Sequence, residues 1–107
     1  MNMDSCNTIT PAYGLFFSTL ANENRLKILN VLRTKRLNVT EIVKATEFEQ
    51  TLVSHHLKTL EHHGMVFVEK QGKYKYYTLN KNTIRPLLVL IDTHMKQYCC
   101  KILEGKR

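Results

Sequence analysis

No purely apolar run in this chain is longer than Leu87-Leu88-Val89-Leu90-Ile91. A membrane-spanning helix needs roughly 20 apolar residues in a row, so no membrane partner is expected. Met1–Thr10 is polar and offers no secretory h-region, which leaves a cytoplasmic chain as the expectation. Cysteine is sparse and odd in number, three in all, with no framework spacing. Reduced thiols fit that pattern, and a disulfide scaffold does not. Glycine and proline are scarce too, four and two, and fall at the edges of periodic segments, so no linker or low-complexity tract divides the chain. There is no nucleophile elbow, phosphate-cradling glycine loop or metalloprotease helix, and 107 residues leave little volume for a pocket. An enzyme is not expected.

Acidic side chains are the other shortage. Nine Asp and Glu face 16 Lys and Arg, a formal net charge of +7 with the histidines neutral. So large an excess on so short a chain points to a polyanionic partner, nucleic acid first and an anionic membrane surface second. A basic, solvated surface without a partner is the bland alternative. An apolar content of 43% fits one globular domain with one modest core. A core that small gains from an oligomer interface.

Residues 1–10 read as a flexible arm, followed by a single domain over 11–103. Pro11 suits a first helical turn, and Tyr13, Phe16, Phe17 and Leu20 recur at helical spacing. Asn22 is a good N-cap for a second helix with Leu26, Ile28, Leu29 and Leu32 as its stripe, ended by the cations of Thr34-Lys35-Arg36. Asn38 with Glu41 predicts a reciprocally capped third helix, Val39 to about Thr46, burying Ile42 and Val43. A turn through Glu47-Phe48-Glu49 leads to a fourth helix with Leu52, Val53, Leu57 and Leu60 at helical spacing and Gly64 as its stop. Helices three and four make a helix-turn-helix. Then the period changes to that of strands: Met65–Val68, a turn at Gln71-Gly72-Lys73, and Tyr74–Leu79, with Tyr77 and Leu79 sharing a face with Lys75. A last helix, 82–103, is capped by Asn82 and carries a stripe of Ile84, Leu87, Leu88, Ile91, Met95, Tyr98 and Ile102. That stripe is longer than one small core covers, so part of it is expected to meet a second copy. The fold class is mainly α (α+β), a winged helix-turn-helix in the order α1-α2-α3-α4-β1-β2-α5.

Three blocks carry a resemblance. The run Gln50-Thr51-Leu52-Val53-Ser54-His55-His56-Leu57-Lys58-Thr59-Leu60, continued by Glu61-His62-His63-Gly64-Met65-Val66, resembles the recognition helix of the arsenic-repressor (ArsR/SmtB) family. The segment from Glu69 to Leu79 is similar to that family's basic wing and its closing Y-x-L strand, and Leu20–Leu29 to its L-a-d-p-x-R-L-x-I-L segment. The likeness runs from about Tyr13 to Leu79 and is strongest in its second half. It implies a homodimeric transcriptional repressor on double-stranded DNA, joined through its first and last helices. The expected dimer residues are Phe16, Leu87, Leu88, Ile91, Met95 and Tyr98.

The chemistry agrees. A helix fits the major groove, and Gln50, Thr51, Ser54 and His55 lead this one with groups that donate and accept. Lys58 lies one turn on, while Lys70, Lys73 and Lys75 arm the wing against phosphates. Each of these is an ordinary solvated surface residue on the bland reading. A winged helix can also bind RNA or another protein; the interaction reading predicts an apolar or acidic surface on the third and fourth helices.

The metal readings are thinner. His55, His56, His62 and His63 contain no i, i+4 pair that would chelate from one face, and His56 reads as half-buried packing. The family's cysteine pair on the third helix has no counterpart in Leu37–Ile42. Asp92-Thr93-His94 matches half of its last-helix zinc site, but no His or Glu stands where the other half belongs. The remaining candidates are Cys99-Cys100 with Cys6 from the other protomer, since thiolates select soft ions such as arsenite, cadmium or copper(I). No cofactor is required; a thiolate-bound soft metal or metalloid is the candidate inducer. The same thiols could instead form a redox switch, or be small hydrophobes near an interface.

Overall fold

The computed structural model describes residues 9–106. Its elements follow the expected order: α1 (Ile9–Leu20), α2 (Glu23–Val31), α3 (Val39–Thr46), α4 (Gln50–His62), β1 (Val66–Gln71), β2 (Tyr74–Leu79) and α5 (Ile84–His94). Pro11 sits in the first turn of α1, which opens at Ile9, so the last two residues of the expected arm are helical. Past α5 the helix continues through a π-helical stretch, Met95–Cys99, into one more α-turn, Cys100–Leu103.

Local caps set several boundaries. The Asn22 side chain accepts from the Arg25 N–H at 3.0 Å. Asn38 accepts from Glu41 N–H at 2.8 Å while the Glu41 carboxylate accepts from Asn38 N–H at 3.0 Å, which closes the capping box. Gly64, at φ +70°, ends α4: its N–H reaches Glu61 O and that of Met65 reaches Leu60 O, the Schellman pair. Between β1 and β2, Gln71 pairs with Tyr74 across a two-residue turn whose first residue, Gly72, has φ +63°. Glycine takes that conformation without a Cβ penalty.

One cap departs from expectation. Asn82 does not cap α5; Thr83 occupies the cap position and makes no side-chain bond there. The polar turn is organised by Asn80, whose Oδ1 accepts from the N–H groups of Asn82 and Thr83 while its Nδ2 donates to Gly64 O at 2.9 Å. That side chain ties the ends of α4 and β2 to the start of α5, a contact fixed by tertiary proximity rather than local sequence.

The core is one cluster. Ile28, Leu29 and Leu32 of the α2 region meet Ile42 from α3, Val53, Leu57 and Leu60 from α4, and Met65, Val66, Leu79, Ile84 and Leu88 beyond. Val43, expected inside, is only partly buried against that cluster. Leu37 joins it and pairs with Tyr77 through two backbone hydrogen bonds, 2.8 and 3.1 Å, adding a one-residue third strand beside β2. Among the described residues, no helix is long and apolar enough to cross a membrane.

Candidate nucleic-acid interface

α4 is two-faced. Val53, His56, Leu57 and Leu60 are buried, and Gln50, Thr51, Ser54, His55 and Lys58 are all exposed. The buried row anchors the helix and aims the polar row outward. Behind it, α3 is held by the capping box and by Glu47 at φ 64°, a left-handed turn residue, so the polypeptide reverses tightly between the two helices. Thr46 fastens that turn, donating to Ile42 O at 2.8 Å and accepting from Phe48 N–H at 3.2 Å.

The wing carries its lysines at the far end. Lys70 and Lys75 are directly paired across the hairpin, and Lys73 lies at its tip; all three are exposed. Pairing places Lys70 and Lys75 on the face of Val66, Val68, Tyr77 and Leu79, which packs on the core at its base. Arg36 braces the opposite face, donating to Gln71 Oε1 at 2.7 Å with its guanidinium 4.7 Å from the centre of the Tyr76 ring. Read locally, Arg36 belonged to the end of α2. Nothing near it in sequence shows that the hairpin folds back over it.

Beneath the polar row, His56 is buried at 6% exposure, deeper than expected, and its Nδ1 has no hydrogen-bond partner. Burial, then the neighbouring Arg25 and His55 charges, lower its pKa below the ordinary 6.5. Arg25 in turn donates to Thr19 O at 2.7 Å and Ser18 O at 3.3 Å, closing the carboxyl end of α1. The arginine that follows the Asn22 cap therefore has a structural role that sequence reading did not assign.

Other expected positions lie apart from this surface. Asp92 accepts from Arg33 at 2.7 Å, and the His94 ring lies against Tyr98, so the half-motif on α5 has partners of its own. No group of three or more His, Cys, Asp or Glu able to hold a metal ion occurs among the described residues. Cys99 is partly buried, Cys100 is exposed, and Cys6 lies outside the described residues. Of the expected dimer residues, Leu88 is buried in the chain's own core at 5% exposure. Phe16, Leu87 and Ile91 pack partly on the core, while Met95 and Tyr98 are exposed.

The family model for the bacterial regulatory protein, arsR family, matches residues 22–67, from the α2 cap into the wing. The cadmium resistance transcriptional regulatory protein CadC of Listeria innocua is 36% identical over 85 residues, covering 78% of this chain and 71% of CadC. The chain belongs to the ArsR family. Its likeness to the transcriptional activator HlyU of Vibrio cholerae is 28% identity over 99 residues, 92% of this chain and 89% of HlyU. The structure of reduced HlyU matches with a TM-score of 0.72 over 86% of this chain and 94% of that one. A homodimeric winged helix-turn-helix DNA-binding domain from Mycobacterium bovis, 24% identical, shares the fold at a TM-score of 0.76 over 94% of this chain and 92% of that one. As an ArsR-family protein the chain is a DNA-binding regulator of transcription and not an enzyme.

Proposed function

We propose that the chain is a sequence-specific, homodimeric repressor that a soft metal, metalloid or oxidant releases from DNA at its cysteine thiols. The observation that carries the DNA reading is the exposed row Gln50, Thr51, Ser54 and His55 on a helix whose other face is fully anchored. In the major groove, Gln50 can serve adenine in two hydrogen bonds, and the hydroxyls can serve bases or phosphates. Lys58, Lys70, Lys73 and Lys75 add charge toward the backbone. A polar, lysine-flanked surface is also the opposite of what a protein-interaction helix would present.

Dimerisation is supported by the apolar surface of the first and last helices. Tyr13, Leu15 and Phe17 on α1 and Val89 and Leu90 on α5 are all more than half exposed. Between them runs a groove of about 360 Å³ lined by Phe17, Leu26, Leu88, Ile91 and Met95 among others. Apolar surface on that scale marks an association face, and a second copy presents the same groove and ridge.

The inducer reading rests on Cys99 and Cys100, adjacent thiols near the end of that helical surface, and on the cadmium resistance role in the name of CadC. Cys6 of the partner is the third thiolate in this proposal. Fluorescence anisotropy of the duplex upstream of its own gene, titrated with reduced protein with and without arsenite, tests both parts. Tight, sequence-dependent binding that arsenite abolishes supports the whole reading. Binding that ignores arsenite, cadmium, copper(I) and oxidant alike removes the sensor and keeps the DNA-binding regulator. Binding no tighter than to unrelated duplexes removes autoregulation.

A further inference from the structure

A second basic feature lies away from the α4 surface. Where the end of α2, the end of β2 and the first turn of α5 converge, there is a concave site of about 130 Å³. Thr34, Lys35, Arg36, Thr78, Lys81 and Arg85 line it, with Leu32 and Leu79, both nearly fully buried, completing the wall. Four of the lining side chains are cations, two carry hydroxyls and none is a carboxylate. Arg36 already has partners in Gln71 and, at 3.9 Å, Glu69. Lys35, Lys81 and Arg85 form no ion pair among the described residues.

Arg85 is the most informative of the four. Its Nη2 donates to Arg33 O at 2.9 Å, which holds the guanidinium against the end of α2. Its Nε is buried and has no hydrogen-bond partner. A buried donor left without an acceptor is costly, and like charges gathered round one small concavity raise each other's energy. An anion with several acceptor oxygens offsets that repulsion and accepts from the charged donors that reach the space. The space is well below the roughly 300 Å³ at which pockets for drug-sized molecules begin, so the fit is to an isolated tetrahedral group. Thr78 stands on the face of β2 opposite the one that carries Lys75.

We infer that this pocket binds a small phosphate-type oxyanion, with Arg85, Lys81 and Lys35 as its charged ligands and the Thr34 and Thr78 hydroxyls as donors. Occupancy links the end of α2, the wing and α5, and stiffens the joint between the DNA-binding half and the last helix.

The test is a titration of the full-length protein with inorganic phosphate at constant ionic strength, read by thermal unfolding and by amide chemical shifts. Phosphate is expected to raise the midpoint where matched chloride does not, and to shift amides of residues 34–36, 78–81 and 85. Arg85→Gln risks the fold because it frees Arg33 O, so Lys35→Gln and Lys81→Gln, both at exposed positions, are the deciding variants. Each is expected to weaken phosphate binding several-fold without lowering the unliganded midpoint, which relief of the repulsion raises if it changes at all. Phosphate that acts no differently from chloride, or shifts confined to α4 and the wing tip, overturns the proposal. So does a result in which the two variants lower the salt slope of DNA binding by about one each while leaving free phosphate binding intact, because the lysines then serve DNA phosphates.

Discussion

The Arg33 guanidinium donates to the Asp92 carboxylate at 2.7 Å, joining the residue after the α2 cap to α5. The hydrogen bond from Arg33 is the main cause that holds the Asp92 carboxyl below its ordinary 3.8; desolvation opposes it, and the charges of Arg33 and Lys96 assist. A carboxyl with a lowered folded pKa contributes stability that is complete at neutral pH and is lost as pH falls from 3.8 through the folded value. Both side chains reach solvent, so the contribution is small. Asp92→Asn is expected to lower the unfolding midpoint slightly at pH 7, with the gap to wild type narrowing as pH falls below 3.8. A gap that does not narrow below pH 3.8 would assign the loss to something other than the ion pair. The same variant should leave zinc uptake, followed by equilibrium dialysis, unchanged.

His56 sets a second pH dependence. Its folded pKa lies below 6.5, so the unfolded chain binds the extra proton first as pH drops. Stability is therefore complete above 6.5 and falls as pH moves from there toward the folded value. Urea unfolding of wild type and His56→Leu at pH 7.5 and 5.5 isolates the effect. Wild type should lose more stability between the two than the variant does; equal losses would rule His56 out as the source.

Two structural devices should show separate signatures. Removing the reciprocal cap with Asn38→Ala is expected to cost about 0.5–2 kcal/mol. Leu57→Ala, at a fully buried position under the polar row of α4, should cost about 2–5 kcal/mol through lost burial and the cavity left behind. Denaturant midpoints give both, and a Leu57→Ala loss under 1 kcal/mol would mean that α4 is not anchored by this side chain.

On DNA, positions on α4 and on the wing should part company. Gln50→Ala is expected to reduce discrimination between the preferred duplex and single-base variants by about 1–3 kcal/mol at one base position. Lys73→Gln should weaken all duplexes alike and reduce the log–log salt slope by about 0.9. Anisotropy at several salt concentrations separates the two, and a uniform loss for Gln50→Ala would demote it to a backbone contact.

Leu90, on α5, is 69% exposed. Leu90→Glu is expected to raise the dimer dissociation constant at least tenfold in sedimentation equilibrium while leaving the helical content unchanged. A variant that sediments as wild type places the interface elsewhere.

The sequence by itself determined what depends on near neighbours along the chain. The Asn22 and Asn38 caps, the Gly64 stop and the Gly72 turn are each fixed by residues within a few positions, so element order was legible before any coordinates. Helical spacing also sorted α4 into an anchored row and a polar row, because a 3.6-residue period maps position directly onto face. Tertiary structure decided whatever required distant segments to meet. Leu37 bridged to Tyr77, Arg36 over Tyr76, Asn80 on Gly64, and Arg85 against Arg33 O leave no periodic trace. The last helix shows the division most sharply. Its apolar stripe was visible as a stripe, but only packing drew the line between Leu88 inside and Leu90 outside, since hydrophobicity marks a side chain for burial without saying which surface will cover it.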